Sequence, residues 1–325
     1  MPQVATTLSG RDHLGTIGAR SGFARNNYTI TPGLYCIGEA DKNAPVLVTA
    51  NYKLTFDALR RELVGQNLWL LVIDTRGINV WCAGGKGTFS AEEIAYQVKR
   101  AQLDLVVDHR QLQLPQLSAN GVALHDLKNL CGFRGRFGPI LASDIPEWLR
   151  TGETSEQMRT VTFTLRERAV LIPLEICLIW KKLGIATLIF FLLSGISPAI
   201  FSPDLALDRG SLLFLATLAA ILAGAVATPL FLPWLPFRQF WLKGAVMGSV
   251  SALLLFAGLF QGKGSEMIAL FFWISGCSSF MAMNFTGSTP FTSLSGVAKE
   301  MRHGLAFQMG STVLALLFWV AGPFV

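Results

Sequence analysis

The chain has 325 residues, 51% of them hydrophobic and 15% charged, with a net charge of +6 and a mean hydropathy of +0.46. That length accommodates two domains, and the apolar excess excludes a uniformly soluble protein. The modest positive charge clusters beside apolar runs, which suits membrane orientation and argues against nucleic-acid binding.

Charged and apolar residues intermingle up to about Arg168, whereas beyond Lys182 the charges thin out and long apolar stretches follow. The expected organisation is a cytoplasmic domain over 1–165, an interfacial elbow over 166–182 and a membrane domain over 183–325. The opening MPQVATTLSGRDHLGTIGAR has no apolar core of signal-peptide type, so the first half is expected to stay in the cytoplasm. Cys36, Cys82, Cys131, Cys177 and Cys277 stand singly, with no CxxC. This argues against a disulfide scaffold, a zinc knuckle or an iron–sulfur cluster.

In the first half, strand and helix signals alternate. APVLVTAN reads as a strand, and TFDALRREL has helical spacing with Thr55 as the expected N-cap. LWLLVIDT is a second buried strand, ending in Asp74. SAEEIAYQVKRAQ is announced as a helix by a Ser90/Glu93 capping box. LDLVVDH reads as a third strand, followed by a loop and a short helix in RQLQLPQLSANGVALHDLKNLCG. FGPILASDIPEWL supplies a last strand and a helical turn. The order predicts an α/β, doubly wound sheet with mostly parallel strands. Ligands bind such sheets outside the carboxyl ends of the strands. The loops Thr49–Thr55, Asp74–Gly87 and Asp108–Gly121 are expected to share that rim and form a cofactor pocket.

The second half carries five apolar segments, about Leu183–Phe201, Ser211–Leu232, Gly244–Phe260, Met267–Phe285 and Leu305–Phe324. Each is close to the roughly 20 helical residues that cross a hydrocarbon core, so an all-α, five-helix membrane domain is expected. Arg166, Arg168, Lys181, Lys182, Arg238, Lys243, Lys299 and Arg302 flank the spans on the side of the first domain, against Arg209 and Lys263 opposite. This bias puts the first domain in the cytoplasm and the C-terminus outside. AVLIPLEICLIWKK, carrying Glu175, is expected to join the halves as an interfacial helix or elbow. The spans show almost no ionisable residue, so an anchoring or docking role is expected rather than an ion path.

The stretch NVWCAGGKGTF, Asn79–Phe89, sets Cys82 beside Trp81 and ahead of a glycine turn. A phosphate loop is excluded: Val80 occupies the position of the first glycine of GxxxxGK, and Gly87 stands where Ser or Thr should follow Lys86. No GxGxxG follows the first strand. A nucleophilic cysteine would need a histidine base, for which His109 and His125 are the candidates in this domain.

NVWCAGGK, Asn79–Lys86, resembles the cap-helix signature N(V/I)WCA(A/G)GK of the mercury-methylating corrinoid protein family, HgcA, itself related to the corrinoid iron–sulfur protein large subunit. TPGLYCIGEADKNAPVLVTANYKLTFDALR and GFRGRFGPILASDIP resemble that family's flanking sequence, and the layout of a corrinoid domain before five spans is similar. The resemblance implies a Rossmann-like corrinoid-binding domain with cobalamin as cofactor. Cys82 would be the lower axial cobalt ligand, a soft and electron-rich donor. Placed trans to a cobalt-bound methyl group, a thiolate would ease its release with its electrons to Hg(II), forming methylmercury. A histidine-ligated corrinoid fold would show DxHxxG, but here Asp108 and His109 are adjacent.

By the same resemblance, Val80 belongs to the signature and Trp81 would pack on the corrin or steady the cap. Asn79 would cap the short helix or hydrogen-bond the Cys82 thiolate. Ala83, Gly84 and Gly85 would let backbone approach a flat macrocycle, and Lys86 would lower the Cys82 pKa or meet a corrin amide. Thr49, Asn51, Thr55, Asp74 and Thr75 would bond corrin amides or the nucleotide tail, with Gly121 approaching that tail. The implied partners are HgcB, a ferredoxin-like protein with 4Fe–4S clusters, as electron donor, and a methyltransferase linked to methyltetrahydrofolate as methyl source. The alternatives are a corrinoid methyl carrier of one-carbon metabolism and a non-catalytic membrane protein binding metal or thiols through Cys82.

Overall fold

A computed structural model describes residues 1–258, 264–289, 292 and 294–324. The chain divides into two compact units, Met1–Thr162 and a second beginning at Phe163. Phe260, Lys263 and Val325, named above in the third span, the charge bias and the membrane domain, lie outside the described residues.

The first unit contains, in order, α1 (Gly10–Arg20), β1 (Gly33–Ile37), β2 (Val46–Ala50), α2 (Lys53–Glu62), β3 (Leu68–Ile73), α3 (Val80–Gly85), α4 (Ala91–Arg100), α5 (Leu103–Val106), β4 (Gln111–Leu114), α6 (Leu124–Cys131), β5 (Arg134–Phe137), α7 (Ile145–Thr151) and α8 (Glu156–Arg159). The five strands form one sheet in the order β1-β3-β2-β4-β5. β1 is antiparallel to β3, and the other neighbours are parallel. Every residue of β2 and β3 is buried, as a sheet covered on both faces requires.

The two-residue period of a strand splits β3 cleanly. Leu68, Leu70 and Val72 pack with Phe56, Leu59 and Leu63 on one face, while Trp69, Leu71 and Ile73 join Val80, Phe89, Ile94 and Val98 on the other. Thus α2 covers one side of the sheet, and α3 and α4 cover the other.

Three local expectations are corrected. LDLVVDH contains the four-residue helix α5: Gln102 takes a left-handed φ of 47°, which ends α4 and restarts a turn. The third parallel strand is QLQL, whose Leu112 and Leu114 point into the core. The last strand begins earlier than FGPIL, at Arg134. Thr55 is not an N-cap, because α2 starts at Lys53 behind Tyr52 and the Lys53 N–H donates to Tyr28 O at 2.9 Å.

The N-terminal arm is tied to α2 by charge. Lys53 Nζ lies 2.5 Å from Asp12 and 2.6 Å from Asp57, and Arg60 reaches the same two carboxylates at 2.9 and 2.8 Å. Burial would raise the Asp12 pKa, but hydrogen bonds from Lys53, the Ser9 backbone and hydroxyl, and Arg60 outweigh it and hold the group well below the usual carboxylate range. A carboxyl depressed on folding stabilises above its unfolded pKa and loses that contribution as pH falls through the folded value. The unit should therefore lose thermal stability below about pH 4, and Asp12→Asn should flatten that fall. Melting curves of both proteins from neutral to acid pH check it.

The second unit contains α9 (Leu165–Leu193), β6 (Ile196–Ser197), β7 (Ile200–Phe201), α10 (Pro203–Ile221), α11 (Thr228–Leu230), α12 (Phe240–Gly258), α13 (Gly264–Asn284) and α14 (Leu294–Ala321). Among the described residues, five helical segments are long and apolar enough to cross a membrane. Residues 166–182, expected as an elbow, are the N-terminal part of α9. Thr164 and Glu167 close a capping box at its start, which also draws the first unit's end to Thr162 rather than 165. Phe201 belongs to the β6–β7 hairpin rather than to a span.

The second span continues from α10 through a π-turn, Leu222–Ala227, into α11. Pro229 lacks the N–H that regular winding would use there. Small residues let the helices approach closely. A Cβ on Gly248 would meet Ser278 Cβ at 2.7 Å and Ser275 Cα at 2.8 Å.

The helices also begin earlier than the apolar windows, which brings charges inside and corrects the expectation of spans almost free of them. Arg209 Nε donates to Glu266 at 2.8 Å and Nη1 to Ser194 O at 3.1 Å, while Nη2 donates to Trp319 O. The guanidinium also lies over the Trp319 ring, 4.3 Å from its centroid. Glu300 accepts from the N–H groups of Phe240 and Trp241 at 2.9 and 3.2 Å. Ser288 donates to Glu175 at 2.7 Å.

Candidate functional site

The rim at the carboxyl ends of β2, β3 and β4 is built by three short segments. Asn51 follows β2. Its Oδ1 accepts from Thr75 N at 3.1 Å and from Gly77 N at 3.0 Å, and it lies 2.9 Å from Thr75 Oγ1. Its Nδ2 donates to Asp74 Oδ1 at 2.9 Å, which also accepts from Arg76 N at 2.9 Å. Arg76 and Gly77 both adopt positive φ, 57° and 70°, so the chain reverses sharply after β3.

That reversal delivers the chain to Asn79, the N-cap of α3, whose Oδ1 accepts from the Cys82 N–H at 2.9 Å. At the other end, Lys86 N donates to Cys82 O, and Thr88 and Phe89 N–H groups both donate to Ala83 O. Gly87 supplies the left-handed turn at φ 73°.

Within α3, Val80, Ala83 and Gly84 are buried, Trp81 and Cys82 are half-buried, and Gly85 and Lys86 are exposed. The short helix therefore stands on an apolar foot and turns Cys82, Gly85 and Lys86 outward. Its thiol differs from the other two in the unit. Cys36 and Cys131 pack against the core cluster, and their Sγ atoms donate to Gly38 O and Leu127 O; burial pushes the Cys131 thiol up. Cys82 lies outside that cluster and makes no Sγ hydrogen bond among the described residues.

Of the candidate residues, Asn51, Asp74 and Thr75 join one network, and Asn79 and Cys82 follow it directly. Thr49 and Thr75 are buried at 2% and 0% exposure. Thr55 sits in the first turn of α2 and has no side-chain hydrogen bond to this network among the described residues. Gly84 and Gly121 meet: a Cβ on Gly121 would lie 2.6 Å from Phe89 O and 2.7 Å from Gly84 Cα and O. These two glycines let α3 pack on the turn after β4. At Gly85 a Cβ would meet only Asn120 Nδ2, at 3.7 Å. Gly121→Ala should accordingly lower stability by about 1–3 kcal/mol through overpacking, while Gly85→Ala should leave the melting temperature of the protein nearly unchanged.

Two expectations about this rim are corrected. Only the part of Asp108–Gly121 that follows β4 reaches it. His109 bonds Ala44 O at 3.0 Å, just ahead of β2, so it sits at the amino end of the sheet. His125 pairs with Asn129 on α6. Among the described residues, neither histidine makes a hydrogen bond to Cys82.

Glu93 is a residue whose role the sequence hid. Ser90 accepts the Glu93 N–H, as in a capping box, but the Glu93 carboxylate accepts from Asp74 N at 3.1 Å and Gln97 Nε2 at 3.2 Å. The acid three residues after the cap was the available signal, and its partner is the turn after β3 rather than Ser90.

Residues 24–149 match the family described as CO dehydrogenase/acetyl-CoA synthase delta subunit. The chain is 34% identical over 127 residues to the acetyl-CoA decarbonylase/synthase complex subunit gamma of Methanopyrus kandleri, covering 38% of this chain and 27% of that protein. It is 32% identical over 129 residues to subunit gamma 1 of the same complex from Methanosarcina thermophila, with 38% and 27% covered. Against the corrinoid/iron-sulfur protein large subunit of Moorella thermoacetica, identity is 34% over 121 residues, 37% of this chain and 27% of that one. The chain thus spans about a quarter of the length of these relatives. Over residues 24–149, the stretch that holds the sheet and Cys82, it is related to this family of corrinoid proteins.

Proposed function

We propose that this chain is a membrane-anchored, corrinoid-dependent methyltransferase that transfers a methyl group from cobalt to Hg(II), forming methylmercury, with Cys82 as the lower axial ligand. The observation that carries this reading is the Cys82 thiol itself. It is half-exposed, unbonded at Sγ among the described residues, and held at the carboxyl edge of the sheet inside the segment related to corrinoid proteins. The residues around it fit a cobalt corrin. Sulfur is a soft donor, and Gly85 is exposed and carries no side chain in the way of a flat macrocycle.

When bound, the corrinoid supplies a methyl-carrying cobalt, made more electron-rich by a sulfur ligand. The chain supplies the rest. Val80, Ala83 and Gly84 seat α3, Asn79 fixes its first turn, and Cys82 presents sulfur outward. Trp81, Gly85 and Lys86 form the face that would meet the corrin. Lys86, exposed at the C-cap of α3, would meet a polar group of the cofactor. Asp74, the exposed member of the rim network, keeps Oδ2 available for a polar group of the cofactor.

HgcB is the proposed electron donor and a methyltetrahydrofolate-linked methyltransferase the proposed methyl source. The five apolar helices would sit in lipid of the inner, cytoplasmic membrane, with the corrinoid domain in the cytoplasm and the C-terminus outside, as the bias of lysine and arginine favours. A second reading, a methyl carrier of one-carbon metabolism, is favoured by the names of the relatives, which are subunits of acetyl-CoA decarbonylase/synthase complexes. Reconstitution of the purified chain with cobalamin tests both. Retained corrin absorption is expected, and its absence would overturn both readings in favour of a non-catalytic metal- or thiol-binding protein. Formation of methylmercury from Hg(II) by the loaded protein separates the first reading from the second.

A further inference from the structure

We propose that Asn51 is a positioning residue for the Cys82 thiol, setting the placement of α3 through the turn Asp74–Gly77, with Glu93 bracing that turn from behind. The inference rests on Cys82 being the functional group of the proposed reaction, but its geometry stands apart from any cofactor. Asn51 is 6% exposed, and its side-chain oxygen and nitrogen are both committed to the residues that lead into α3. Only one orientation of the amide serves: oxygen toward the N–H groups of Thr75 and Gly77, nitrogen toward the Asp74 carboxylate.

The turn needs such a clamp. It holds a non-glycine residue, Arg76, at φ 57°, a conformation that costs energy unless its surroundings over-determine it. The bonds from Arg76 N to Asp74 Oδ1 and from Asp74 N to Glu93 Oε1 supply that support. Gly77 lies against the N-terminal arm, where a Cβ would meet Thr29 Cγ2 at 2.8 Å. Since Asn79 caps α3 two residues further on, a shift of the turn is carried directly into the capped residue, Cys82.

The test is a charge relocation in the full-length, corrinoid-free protein with Cys36, Cys131, Cys177 and Cys277 replaced by serine or alanine. Asn51→Asp sets two carboxylates against each other and removes the donor. The double variant Asn51→Asp with Asp74→Asn restores a donor–acceptor pair at that contact and keeps the acceptor for Thr75 and Gly77, while Arg76 N, which the same Oδ1 serves in the parent, gives up its bond. Two readouts are used: the rate at which a maleimide labels Cys82, and hydrogen exchange at the Cys82 and Ala83 amides. The single variant is expected to raise both by about tenfold, the scale of one broken buried hydrogen bond, and the double to return them to within about threefold of the parent.

Leu127→Ala, which opens the fully buried core around α6, controls for general destabilisation and should leave Cys82 labelling unchanged at temperatures where the fold persists. Unchanged labelling and exchange in Asn51→Asp, or a double variant no closer to the parent than the single, would overturn the proposal. If the single variant does not fold, the double against the parent and the conservative Asn51→Ser carry the test: the double should lie closer to the parent than Asn51→Ser does. Because no corrin enters these measurements, their failure is distinct from a failure of corrin binding.

Discussion

Replacing Cys82 by alanine is expected to abolish methylmercury formation from Hg(II), with a loss of roughly a hundredfold or more, since even outer groups around a metal commonly cost 10–100-fold. The fold should survive, because Cys82 is half-buried and outside the core. Alanine keeps the helical propensity of α3 and the backbone N–H that Asn79 accepts. Cys82→His should not restore activity. Imidazole would be a poorer electron donor than a thiolate to the proposed cobalt, and its ring needs more room than the thiol at the Trp81–Gly85 face. Methylmercury measured from matched amounts of folded, corrin-loaded protein checks this, and parental rates in Cys82→Ala would remove the sulfur from the account.

The second large effect is expected at the opposite half of the chain. Arg209 and Glu266 are 4% and 13% exposed at their side chains and pair at 2.8 Å. The guanidinium also gathers α9, through Ser194 O, and α14, through Trp319 O. Arg209→Met leaves Glu266 buried without its cation, and breaking a buried pair in this way costs about 3–5 kcal/mol. Replacing both partners by apolar residues, Arg209→Met with Glu266→Leu, should recover much of that loss, since the desolvation cost of the pair disappears with it. Unfolding in detergent or nanodiscs, followed by tryptophan fluorescence, distinguishes the two. A double variant no more stable than the single would show that Arg209 acts through its carbonyl contacts rather than through Glu266.

What was readable from the sequence follows the range of the forces involved. β2 and β3 were legible because continuous apolar runs bounded by polar turns mark strands buried on both faces. QLQL was not, although Leu112 and Leu114 alternate correctly, because four residues before a proline give little signal beside the more apolar LDLVV. The long apolar helices were legible in number but not in their ends. An apolar window stops at Arg209 and at Glu266, and only the fold reveals that the two neutralise each other 57 positions apart.

The site divides in the same way. Cys82, Trp81 and the glycines stood out as a local motif, and the Asn79 cap is a contact between near neighbours. The Asn51 clamp spans 24 positions to Thr75, and the Gly84–Gly121 approach joins two different loops. Neither could be seen before the strands were brought side by side. The glycines changed meaning as a result: Gly85 is exposed and has room for a Cβ, in ordinary contact with Asn120, whereas Gly84 and Gly121 serve the packing of α3.

The most direct test of the account is the cobalt's own coordination. X-ray absorption at the cobalt edge of the full-length, corrin-loaded protein should show one sulfur neighbour, absent from the Cys82→Ala variant loaded to the same level. A cobalt surrounded only by nitrogen and oxygen in the parent protein, or a sulfur neighbour that persists without Cys82, would contradict it.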